Sequence, residues 1–127
     1  MISDISSRED LEKIIVLFYE KLVQDEFMFP FFQEIVEEGI LKSHLSVIID
    51  FWEDILFQTH RYRNNPMQIH LNFHQKMEFE KEHFQTWLSY LNSTIDDHFT
   101  GVVSEKMKNR AASIAMVMQT KMKLYQS

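Results

Sequence analysis

Two glycines and two prolines among 127 residues leave this chain almost nothing with which to build tight turns. A β-sandwich or barrel needs many short strands joined by such turns, so the shortage points to long helices instead. The apolar residues agree, because they recur at intervals of three and four and nowhere sustain the alternation of a strand. An all-α fold is therefore expected. At this length it is expected to be one domain over 1–127, burying roughly two-thirds of the surface of the unfolded chain.

Ser6, followed three residues later by Glu9, reads as a capping box at a helix start. Leu11, Ile14, Ile15, Phe18 and Leu22 then fall on one face, which predicts a helix over about 7–24 with Tyr19 beside Phe18 on the edge of the stripe. Pro30 suits the first turn of a short helix running through Phe31, Phe32, Ile35 and Val36, and Gly39 is placed to end it. A second long helix is predicted over about 40–60. Its narrow apolar arc is Leu41, His44, Ile48, Phe51 and Ile55, widened by Leu45, Trp52 and Leu56. A polar turn from Arg61 to Asn65 precedes Pro66 and a short helix through His70 and Leu71, then a loop from Asn72 to Lys76. Glu78, Glu80 and Glu82 bring negative charge to the start of a helix over about 78–97, with Phe84, Trp87, Leu88, Leu91 and Ile95 as its stripe. Met107, Ala111, Ile114, Met118, Met122 and Tyr125 predict a last helix over about 102–124.

The net charge of −6, with basic residues scattered among acidic ones, argues against a nucleic-acid partner. No apolar run reaches the ~18 residues of a membrane span, and Asp4, Arg8, Glu9 and Asp10 interrupt any secretory leader. The chain has no cysteine, which excludes disulfides, thiolate nucleophiles and cysteine-based zinc sites and permits a reducing cytoplasm, the expected compartment.

No nucleophile motif, phosphate loop or calcium loop occurs, so the chemistry falls to the six histidines and the aromatic residues. His70 and His74, four apart, would share a helical face as zinc-binding pairs do, but Leu71 stands where a metalloprotease helix carries glutamate, and a zinc site is not favoured. On spacing alone His44 reads as a core histidine bonded to a carbonyl, and Tyr19 as a boundary residue with a wet hydroxyl. The 11 Phe, 4 Tyr and 2 Trp would wall a flat cofactor or fill a plain helical core, and the methionines at helical spacing read as flexible core filler.

Taken in order, Phe18-Tyr19, His44, Phe51-Trp52, Tyr62-x-x-x-Pro66-x-x-x-His70-Leu71 and Glu82-His83-Phe84-x-x-Trp87-Leu88 resemble the group III truncated haemoglobins, from Arg8 to about Gln119. The resemblance implies a two-over-two helical sandwich enclosing haem b, with His70 as the axial ligand of the iron and the opposite position open to dioxygen, nitric oxide or carbon monoxide. It implies that Tyr19 and Trp87 donate hydrogen bonds to the bound gas, that His44 swings as a gate and that Ile48 is an apolar wall over the ligand. Phe32, with Phe31, would pack against the porphyrin. Lys42, Arg61 and Arg63 are candidates for its propionates by charge alone. The family often has a Leu-Pro pair soon after its axial histidine, where this chain reads Asn72-Phe73-His74. The loop into the tryptophan helix therefore departs from the pattern.

The function implied is reversible gas binding. Nitric oxide dioxygenation and peroxide chemistry are open to such a pocket, and both need an electron-donating reductase that this chain does not carry. The rival is a cofactor-free helical module that docks a protein partner through a methionine- and phenylalanine-rich face.

Overall fold

A computed structural model describes residues 2–59 and 80–121, apart from the side chains at 34 and 121. Outside the described residues lie Arg61, Tyr62, Arg63, Pro66, His70, His74, the expected loop at 72–76, Met122 and Tyr125.

Five helices and a short 3-10 turn make up the described chain, with no strand among them. Helix α1 spans Arg8–Gln24, the 3-10 turn Phe29–Phe31, α2 Gln33–Glu37, α3 Leu41–Phe57, α4 Lys81–His98 and α5 Val102–Lys121. Pro30 sits in the first positions of the 3-10 turn, where its missing N–H costs nothing. Gly39 takes a φ of +70°, ending α2 as glycine can and most residues cannot.

The start of α1 differs from expectation by one residue. Ser7, not Ser6, is the cap, and its hydroxyl accepts from the backbone N–H of Asp10. Ser6 instead donates from its own backbone and hydroxyl to the Asp10 carboxylate, so the reciprocal pairing exists but runs through Asp10 and leaves Glu9 out. Adjacent serines and adjacent acids make the two registers indistinguishable by pattern.

Helices α1 and α3 form one layer and α4 and α5 the other, with α1 packed on both α3 and α4, α4 on α5, and α3 touching α5. This is the two-over-two helical sandwich. Its centre is the α1 stripe, in which Leu11, Ile14, Ile15 and Leu22 are completely buried. From the facing elements come Trp52 and Leu56 of α3, Leu91 and Ile95 of α4, and Met107, Ala111, Ala115 and Met118 of α5.

The buried face of α3 is rotated from the predicted arc. Ile48, Ile49, Trp52, Glu53 and Leu56 are buried, while Leu41, His44, Phe51 and Ile55 lie half-buried along the edge. The reason is electrostatic as well as apolar. Apolar residues cover well over half the circumference of this helix, so periodicity alone leaves its rotation open. Arg8 at the start of α1 settles it by reaching Asp50 at 2.7 Å and the buried Glu53 at 2.8 Å. A buried carboxylate needs such a partner, and only one rotation supplies it.

Candidate functional site

At Tyr19 the second turn from the end of α1 meets the first half of α3. Spacing alone makes Tyr19 a boundary residue with a wet hydroxyl, but it is only 3% exposed. Its Oη lies 3.1 Å from His44 Nε2, and the two share a hydrogen bond. His44 therefore pairs with a hydroxyl, and its expected partner, a backbone carbonyl, does not describe this contact. The rings stand edge to face with centroids 5.5 Å apart. On the other side of Tyr19, Phe32 makes the same kind of contact at 5.5 Å, which fixes the tyrosine between the two.

Beside this pair is a small cavity of about 30 Å3, lined by Phe18 and Tyr19 of α1, Ile48, Phe51 and Trp52 of α3, Trp87 of α4, and Ile114 and Met118 of α5. Every layer of the sandwich contributes to it. Among the described residues that line it, the side chains carrying a nitrogen or oxygen are Tyr19, Trp52 and Trp87. Trp87 is half-buried and held edge-on by Phe18, with centroids 5.8 Å apart. Burial pushes the Tyr19 hydroxyl well above the ordinary tyrosine value, so it keeps its proton at neutral pH. Tyr19 thus sets a protonated hydroxyl beside apolar and aromatic walls, a setting in which a hydrogen bond is strong.

Tyr19, Ile48 and Trp87 are thus brought around one space, with His44 bonded to its edge. Phe32 supports Tyr19 from behind, and Phe31 is buried nearby, its ring 4.5 Å from that of His83. Lys42 is exposed in the first turn of α3. Arg61, Arg63 and His70 lie outside the described residues.

Two lining groups were absent from the expected site. Spacing marks Ile114 and Met118 only as core, and their helix lies far along the chain from Tyr19, so nothing local marks them as cavity walls. His83, read only as part of a motif, is buried and caps α4: its Nδ1 accepts from the backbone N–H of Glu80 at 2.8 Å. The signal was present in the sequence as a side-chain acceptor three residues into a helix that opens on glutamates.

Among the described residues no group of three or more histidine or acidic side chains is placed to hold a metal ion, and no helix is long and apolar enough to cross a membrane.

The chain matches no family model. It is 28% identical over 125 residues to the group 3 truncated hemoglobin ctb of Campylobacter jejuni, covering 94% of this chain and 93% of that one. The crystal structure of group III truncated hemoglobin from Campylobacter jejuni has the same fold, with a TM-score of 0.87, 24% identity, and coverage of 100% of this chain and 99% of that one. By sequence and fold together, the chain is similar to the group III truncated haemoglobins and shares their fold.

Proposed function

We propose that the chain binds haem b and takes up a diatomic gas, dioxygen, nitric oxide or carbon monoxide, in the cavity at Tyr19. The observation that carries this reading is the buried hydroxyl of Tyr19, paired with His44 beside a cavity that is otherwise almost wholly apolar. A core built only for stability would use phenylalanine there and avoid the cost of burying the hydroxyl. The volume fits too. About 30 Å3 admits one small molecule, since a water needs roughly half of that, and is far too little for a macrocycle. A porphyrin would instead lie against flat apolar surface beside the cavity, of the kind offered by Phe31, Phe32, Ile48 and the half-buried edges of Leu45 and Phe51.

Haem, if bound, would supply an iron able to take up a diatomic gas, and His70 would be the residue that holds it. The axial role is assigned to His70 from its motif. In the pocket, Tyr19 Oη donates to the gas, and the Trp87 indole N–H is the second donor. His44 Nε2 holds the Tyr19 hydroxyl while the pocket is empty, and turning that imidazole away frees the hydroxyl for the guest. Ile48, Phe18 and Met118 keep water out, which strengthens both donations. Lys42, Arg61 and Arg63 are the cations assigned to the propionates. Turnover of nitric oxide or peroxide by the same pocket would draw its electrons from a separate reductase.

The test is an absorption spectrum of the purified chain with haemin, reduced with and without carbon monoxide. An intense Soret band that shifts on adding the gas is expected, and His70→Gly should abolish or strongly weaken haem retention. A wild-type chain with no Soret band would overturn the reading and leave the partner-docking module. Loss of haem in His74→Gly with retention in His70→Gly would show that the wrong histidine has been named.

A further inference from the structure

We propose that His83 is a positioning residue that holds Phe31 and the start of the Trp87 helix in place while its imidazole is neutral, and releases both when it is protonated. Its consequence for gas binding rests on the haem reading above, but the latch itself does not.

His83 is only 7% exposed and sits in the first turn of α4. Its Nδ1 accepts from the backbone N–H of Glu80 at 2.8 Å, while its own backbone N–H donates to the Glu80 carbonyl at 3.0 Å. An imidazole nitrogen that accepts from an N–H must carry a lone pair, so the bond exists only in the neutral ring with its proton on Nε2. The same ring lies flat on Phe27, with centroids 4.0 Å apart and planes 6° from parallel, and meets Phe31 edge to face at 4.5 Å. One side chain thus joins the 3-10 turn after α1 to the first turn of α4. Trp87 follows four residues later, on the same face of the helix.

Protonation at Nδ1 converts the acceptor into a donor facing a donor, and the Glu80 N–H loses its partner. The start of α4 then loosens, and with it the angle at which Trp87 reaches the cavity and the edge that steadies Phe31. Among the described residues, the charged groups that act on the ring are Glu80 and Glu82 from its own end of α4. From the packed turn it meets the rings of Phe27 and Phe31. Burial disfavours the charged form, the two glutamates favour it, and burial prevails, so the histidine is pushed below its ordinary value of 6.5. The latch is therefore closed at neutral pH and opens as the pH falls below that value.

Two variants separate the cap from the stack. His83→Asn keeps an acceptor near Nδ1 that does not titrate in this range, and His83→Phe keeps the ring and removes the acceptor. The measurement is NMR of the chain as purified, held in the diamagnetic carbon monoxide form if it carries haem. The Glu80 amide and the Trp87 indole N–H are followed from pH 7.5 to 5, together with the His83 ring. In the wild type the three signals should shift together below pH 6.5. At the lower end the Glu80 amide should exchange about tenfold faster than in His83→Asn at the same pH, the factor expected for one net hydrogen bond. His83→Asn should show no such transition, and His83→Phe should resemble the acidified wild type already at neutral pH. If the His83 ring titrates while the other two signals stay still, or if their transition survives in His83→Asn, the latch does not exist. Neither result depends on whether haem is bound, and a chain that lacks a Soret band yet shows the transition keeps the latch and loses only its link to gas binding.

Discussion

Tyr19 and His44 each look unremarkable alone, and their meaning lies in the contact between them. As single residues on the edges of apolar stripes, one read as a wet boundary tyrosine and the other as a histidine tied to a carbonyl. The wet-boundary reading of Tyr19 fails because its buried hydroxyl is satisfied by an imidazole 25 residues along the chain. Periodicity placed the two residues on facing helices, but no local pattern states that they touch. The likeness to a known family was needed to single them out. If the hydroxyl serves a bound gas, Tyr19→Phe removes one donor and leaves the ring packing intact. Dioxygen dissociation measured by stopped flow should then speed up about tenfold, corresponding to a hydrogen bond of ~1.5 kcal/mol. An unchanged rate would mean that the hydroxyl serves only His44.

Elements were more legible than contacts, and their ends less legible than their middles. All four long helices lie where the apolar spacing put them, because one stripe of a helix must face the core whatever it packs against. The cap of α5, in contrast, comes from the other end of the chain. Asp4 Oδ2 accepts from the Val103 N–H at 2.8 Å, and its Oδ1 from the Ser104 N–H at 2.9 Å and hydroxyl at 2.7 Å. Thr100 N–H donates to the Ser3 carbonyl at 3.0 Å, so the N-terminal segment lies across the start of the helix. Gly101 makes room for it. A Cβ at that position would stand 2.4 Å from the Asp4 carboxyl carbon, and its φ of +146° already suits only glycine. A cap a hundred residues distant leaves no spacing to read. Burial raises the Asp4 carboxyl, but the bonds from Val103, Ser104 and Ile5 together outweigh it and hold the group below its ordinary value of 3.8. A carboxylate lowered in the fold adds stability above its unfolded value and loses it as the pH falls through the folded one. Asp4→Ala should therefore cost about 1–2 kcal/mol in urea unfolding at pH 7, the range for losing a helix cap. The gap between variant and wild type should shrink below pH 4. A gap that persists undiminished at pH 2.5 would assign the loss to packing rather than to the charged cap.

For the molecule as a whole, the layers enclose a cavity to which α1, α3, α4 and α5 all contribute, so anything bound beside it is linked to the folding of the entire described chain. A cofactor that binds only the folded state stabilises it by mass action. At a free concentration a hundred times its dissociation constant the gain is about 2.7 kcal/mol. For a domain of this size each kcal/mol moves the melting temperature by roughly 3–5 °C, so saturating haemin should raise it by about 10 °C. The transition should also sharpen, because Phe31, Phe32 and Ile48 would then pack against a rigid surface. The same haemin concentration should move the melting temperature of His70→Gly much less, since apolar contact without the axial bond binds more weakly. That comparison separates specific coordination from haemin adhering to apolar surface. Equal upward shifts in the wild type and His70→Gly would show that haemin gains its hold without that imidazole, and no shift in either would mean that the four helices close on themselves without a cofactor.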